Sequence, residues 1–172
     1  MTQELIDLRK SIQEKRYADA LLIVDELEGM SKQAILRNIQ SFLLRLLLHL
    51  IKNQIEQRLT NSWAVSISDS IRQIKKLNLQ DNKTSYYVKT DEWEAMLEEE
   101  FEAAIDEASA EVYNGAYTPF QLLEMVDKEQ AIAIAQRLLN LTYEYPAKSL
   151  PAIIKQNLTQ LPGGEDWKEG RQ

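Results

Sequence analysis

The sequence predicts an all-α protein, a single bundle of about five to seven helices around one central apolar helix at residues 31–58. Three observations predict it. Apolar residues recur with a helical period in nearly every segment. Five glycines and four prolines are few for 172 residues and cluster late, which favours long helices over many turns. The run Phe42-Leu43-Leu44-Arg45-Leu46-Leu47-Leu48-His49-Leu50-Ile51 is too apolar all round for a helix covered on one side only.

Leu5, Ile6, Leu8 and Ile12 make residues 3–16 a short amphipathic helix. Tyr17 to Glu28 forms a second, with Leu21, Leu22, Val24 and Leu27 inward. Gly29 reads as its left-handed C-terminal residue, and the turn at Gly29-Met30 predicts an antiparallel pairing with the helix that follows. Ser31 is the expected N-cap of the central helix, which runs to Arg58 without Gly or Pro. Arg45 and His49 interrupt its apolar run, so no membrane span is expected, since one needs roughly 18 such residues.

Thr60-Asn61-Ser62 is the next break. Trp63, Ile67, Ile71 and Ile74 then carry a helix to about Leu77. Asn78 to Lys89, with Asp81-Asn82-Lys83-Thr84-Ser85, reads as a loop, in which Tyr86, Tyr87 and Val88 lie extended. Thr90 is the expected cap of an acidic helix whose inner stripe is Trp93, Leu97, Phe101, Ile105, Ala108 and Val112. Asn114-Gly115 ends it. Thr118-Pro119-Phe120-Gln121 is a capping box with Pro at the first helical position. Asp127 caps a longer helix closed by Tyr143-Glu144-Tyr145-Pro146, and Ser149 caps a last short one. The domain is expected to span 1–162, with 163–172 a mobile tail.

Net charge is −7, unevenly spread. Residues 31–76 hold eight Lys or Arg against two acids, Glu56 and Asp69, whereas residues 91–111 hold ten acids and no base. The acidic balance disfavours nucleic-acid binding through the whole surface, and a local basic patch on the 31–76 half is the weaker, third reading. With no Cys and one His, neither a thiolate nor a multi-histidine metal site can be built, and no cofactor is implied. Met1-Thr2-Gln3-Glu4 lacks the basic start of a signal peptide, so a cytoplasmic location is the expectation. P-loop, dinucleotide-binding and nucleophile-elbow patterns are absent.

The central helix carries one polar stripe. Arg45, His49, Lys52 and Glu56 are spaced 4, 3 and 4 apart and share a face. Such a stripe is either an anion-binding groove, with Trp63 as a wall, or a set of internally satisfied ion pairs. The second is favoured, because buried charges are usually paired. The expected partner of His49 is an acid from the preceding helix, Asp25 or Glu28.

From Leu22 to Ile71 the chain resembles a bacterial family catalogued as domain of unknown function 29. The residues that carry the resemblance are Asp25-Glu26-Leu27-Glu28-Gly29-Met30, then Leu47-Leu48-His49-Leu50-Ile51-Lys52-Asn53-Gln54, then Ser62-Trp63 and Ile67. The resemblance implies an all-helical bundle and brings Glu28, His49, Lys52 and Trp63 together as typical positions. It implies no activity.

Two functions follow as expectations. The preferred one is a small helical binding or adaptor protein, not an enzyme, whose basic and acidic segments recruit a protein partner or a second copy. The alternative is a small-molecule or anion binder, or an enzyme, using Arg45, His49 and Lys52. A closed stripe favours the first, and an open pocket of roughly 300 Å³ or more there favours the second.

Overall fold

The computed structural model describes residues 2–80 and 84–171. It is all-α, with eight α-helices among these residues and no strand beyond one isolated antiparallel bridge, Leu79 with Tyr86. The helices are α1 (Thr2–Gln13), α2 (Tyr17–Glu56), α3 (Asn61–Asn78), α4 (Trp93–Glu111), α5 (Pro119–Met125), α6 (Lys128–Glu144), α7 (Leu150–Leu158) and α8 (Gly164–Lys168). The chain divides into two compact units, 1–38 and 39–172, where the sequence predicts one domain.

In the N-terminal unit, α1 ends where Lys15 takes a left-handed conformation (φ 59°). Lys15 N donates to the Ile12 carbonyl at 3.1 Å and Arg16 N to the Ser11 carbonyl at 2.8 Å, so two orphan carbonyls of the helix end are closed. Ser11 and Ala20, on either side of this turn, are the buried residues among those described in the unit.

The turn expected at Gly29-Met30 is absent. Gly29 is helical, Ser31 caps nothing, and the two helices predicted there are one helix of 40 residues. A helical Gly costs only about 1 kcal/mol relative to Ala. Leu27, Met30, Lys32, Gln33 and Ala34 around it are good helix formers or nearly so, and propagating an existing helix costs far less than starting a new one. By length and composition α2 is also apolar enough to cross a membrane. Its residues Leu43, Leu46, Leu47, Leu50 and Ile51, however, are core residues of the second unit.

That second unit is built as the periodicity predicts. Gln57 (φ 54°) breaks α2, and Thr60 Oγ1 caps α3 by accepting from Trp63 N at 3.1 Å. The apolar stripes of α3 and α4 are buried, including Ile67, Ile71, Ile74, Trp93, Leu97 and Phe101. Helix α3 packs on α6 and α7, and α4 packs on α5 and α6. The predicted loop at Asp81-Asn82-Lys83 lies outside the described residues. On its far side Val88 is buried and pinned by Asn78, which accepts from Val88 N and donates to Val88 O. Thr90 opens a short 3-10 turn, and the capping acceptor is Glu92, which takes Lys89 N at 3.0 Å. The Thr118–Gln121 capping box and the Asp127 cap are present as predicted.

Residues 163–172, predicted as a mobile tail, include α8. Asn53 Nδ2 donates to the Pro162 carbonyl at 2.8 Å, and Trp167 Nε1 donates to Asn61 Oδ1 at 3.1 Å. Gly163 passes so close to the α2–α3 turn that a Cβ there would lie 2.6 Å from Arg58 Cα.

Candidate functional site

The stripe residues of α2 do share a face, and each side chain meets a partner inside the second unit. Arg45 donates from Nη1 to Asp69 Oδ2 at 3.0 Å and from Nη2 to Ser66 Oγ at 3.3 Å, both on α3. Lys52 is buried, with Nζ 3.5 Å from Glu111 Oε2 and 4.8 Å from the Trp63 ring centroid. The Arg58 guanidinium lies 5.0 Å from the same ring. Glu56 accepts from Arg58 Nε at 2.9 Å and from the backbone N–H of Tyr113 at 3.2 Å. That second bond holds a bulky residue in the left-handed region, since Tyr113 has φ 45°.

His49 Nδ1 lies 2.8 Å from the Arg45 carbonyl one turn back. A carbonyl only accepts, so Nδ1 carries the proton in the neutral ring and Nε2 is left as the acceptor. Burial pushes the imidazole below its ordinary value, and the positive charges of Lys52 and Arg45 push the same way, against the carbonyl bond and Glu111. The expected acid partners are not there. Asp25 and Glu28 lie on the same continuous helix as His49, about six turns or more before it, because the chain does not fold back at Gly29.

The stripe therefore clasps α2 to α3 and to the end of α4. Its partners come from downstream in the chain. One signal for them was present in the sequence: Glu56 and Asp69 are the only acids among the cations of residues 31–76. Both are paired to those cations, to Arg58 and Arg45. None of five developed clefts among the described residues has Arg45, His49, Lys52 or Glu56 in its wall.

Surface that is not closed lies elsewhere. In the N-terminal unit Leu5, Ile6, Ile12, Tyr17, Leu21, Leu22 and Met30 are exposed, Leu21 and Leu22 by 64% and 62%. On its own helix Gly29 faces open space, and a Cβ there would meet nothing within 4 Å. In the second unit Phe120 is 83% exposed at the start of α5.

A protein-family model described as Domain of unknown function DUF29 matches residues 3–131. The match runs well past the Leu22–Ile71 stretch that carries the resemblance in the sequence, and it ends inside α6. No curated protein and no solved structure matches the chain.

Proposed function

The chain belongs to this DUF29 family of unknown function, and from that premise we propose that it is a helical interaction protein whose N-terminal unit pairs with a second copy. The observation that carries the reading is the uncovered apolar surface of that unit, where seven large apolar side chains are exposed and, among the described residues, only Ser11 and Ala20 are buried. Seven large apolar side chains left exposed in so short a stretch of chain support an association site in this unit.

The charge pattern of α2 supports a second copy as the occupant. Ala18, Leu22, Asp25, Gly29, Lys32 and Leu36 are spaced 4, 3, 4, 3 and 4 apart, so they form one helix face. All are exposed except the half-buried Leu36. A two-fold axis through Gly29 sets Leu22 opposite Leu36 and Glu26 opposite Lys32 of the second copy, each contact occurring twice. A parallel pairing would set Glu26 against Glu26. Gly29 has no packing reason inside its own chain, and at a crossing point the missing side chain lets two helices approach closely.

Sedimentation velocity over a concentration series tests this. The wild type is expected to dimerise. Glu26→Lys or Lys32→Glu alone should weaken the dimer, and the double reversal should restore it. A chain that stays monomeric throughout, or a dimer indifferent to both reversals, would sink the reading.

A further inference from the structure

The groove between α4 and α5 has a charge and a shape that the fold itself does not use. Its floor is Phe101 and Ile105 of α4, both 2% exposed. Its wall is Phe120 and Leu123 of α5, 83% and 52% exposed. The capping box at Thr118 with Pro119 fixes the first turn of α5, so Phe120 is held out into solvent by an ordered backbone. Buried Leu122 anchors the opposite side of the same short helix. The space enclosed is ≈ 490 Å³.

The rim is acidic. Glu98, Glu102 and Asp106 line it at one-turn intervals along α4. Glu102 and Asp106 make no ion pair among the described residues. Glu98 makes one, and it shows what the groove accepts: Lys128 Nζ lies 2.6 Å from Glu98 Oε2 and 5.2 Å from the Phe101 ring centroid. A cation already sits over the aromatic floor and bonds to the acidic rim.

We propose that the α4–α5 groove binds a cationic amphipathic helix of a partner protein. Its Lys or Arg side chains pair with Glu102 and Asp106, and its apolar face covers Phe120 and Leu123. A helix is the right occupant because the acids repeat once per turn along α4 and the apolar wall of α5 lines the same groove. Nucleic acid and anionic membrane surfaces are the wrong ones, because Glu98, Glu102 and Asp106 would face their phosphates. The site shares no residue with the α2 face around Gly29, so either reading can fail without the other.

The test uses the full chain and a labelled synthetic peptide of repeating Lys and Leu in helical register, followed by fluorescence anisotropy. The peptide should bind one per chain, with affinity falling as salt rises. Phe120→Ser, and separately Glu102→Lys with Asp106→Lys, should each weaken binding by about tenfold or more while far-ultraviolet circular dichroism stays unchanged. Glu99→Lys, on α4 but outside the groove, should leave binding as it is. Equal affinity for a Glu and Leu peptide, equal loss with Glu99→Lys, or binding indifferent to Phe120→Ser would overturn the proposal. So would a Phe120→Ser variant that changes the oligomeric state of the free chain and not peptide binding, since a second copy would then be the occupant.

Discussion

Replacing Gly163 with Ala probes whether the C-terminal segment is part of the folded unit. Gly163 has φ 72°, where an L-residue costs about 1 kcal/mol. The larger effect is steric. The new Cβ would meet Arg58 Cα at 2.6 Å, Leu59 N at 2.9 Å and Arg58 C at 3.0 Å, all backbone atoms that cannot swing aside. Carbon atoms settle about 3.5–4 Å apart, so the segment must retreat by roughly 1 Å. That displacement strains the bonds from Asn53 Nδ2 to the Pro162 carbonyl and from Trp167 Nε1 to Asn61 Oδ1. At about 1 kcal/mol for each bond lost, the total comes to about 3 kcal/mol. Gly170 supplies the control, because it has φ 77° and nothing within 4 Å of a Cβ. Gly170→Ala should cost only the backbone part, about 1 kcal/mol. For a chain of this size each kcal/mol lowers Tm by about 2–4 °C. Thermal melts followed by circular dichroism should therefore separate the two variants by about 4–8 °C. Equal melting temperatures would mean that Gly163 is not docked against the α2–α3 turn.

Leu47, fully buried in the second unit, should cost about 2–5 kcal/mol when replaced by Ala, measured by urea unfolding; a loss below about 1 kcal/mol would remove α2 from the core. Asn78→Ala strands the buried Val88 N–H and cuts the bonds to Val88 O and Tyr143 Oη, so a loss of about 3 kcal/mol is expected in the same assay. His49 is held below its ordinary value of 6.5 by burial, so near that pH the unfolded chain binds the proton more readily. Its contribution is then fully present above pH 6.5, falls as pH drops through that value, and levels off below the folded-state value. His49→Gln should flatten that part of a stability–pH curve, and an unchanged slope would refute the assignment. His49→Ala and Glu28→Ala should be additive to within about 0.5 kcal/mol, because the two are 21 residues apart in one helix, with no turn at Gly29 to fold one back on the other.

What was legible in the sequence is what local chemistry decides. The inner stripes of α3 and α4, the Thr118 capping box and the Asp127 cap each depend on residues within one or two turns, and each is where the spacing predicts. Gly29 and Gly163 were misread for one shared reason. A glycine is used to end a helix, to loosen a chain or to let two backbones touch, and its own side chain carries no mark of which. Gly29 lies inside a helix that its neighbours propagate. Gly163 follows Pro162 in a stretch whose composition reads as a tail, yet it is there because the backbone of Arg58 and Leu59 leaves no room for a Cβ. The stripe on α2 was visible, but its partners Asp69, Ser66 and Glu111 are tertiary, and the pairing with Asp25 and Glu28 failed with the turn it depended on.

The charge asymmetry resolves in a way that composition could not show. Of the eight cations in residues 31–76, five have partners in the second unit: Arg45 and Arg72 on Asp69, Lys52 on Glu111, Arg58 on Glu56, and Lys75 on the Thr142 carbonyl. Of the ten acids in residues 91–111, only Glu98 and Glu111 make an ion pair within 4 Å among the described residues. Four of the eight cations thus meet a carboxylate inside the second unit, while most acids of α4 make no ion pair among the described residues. The charge that α4 offers a partner is negative. That sign is the one the α4–α5 groove needs, because an attraction that reaches a Debye length, about 8 Å at physiological salt, brings a cationic helix to Phe120 before any apolar contact forms.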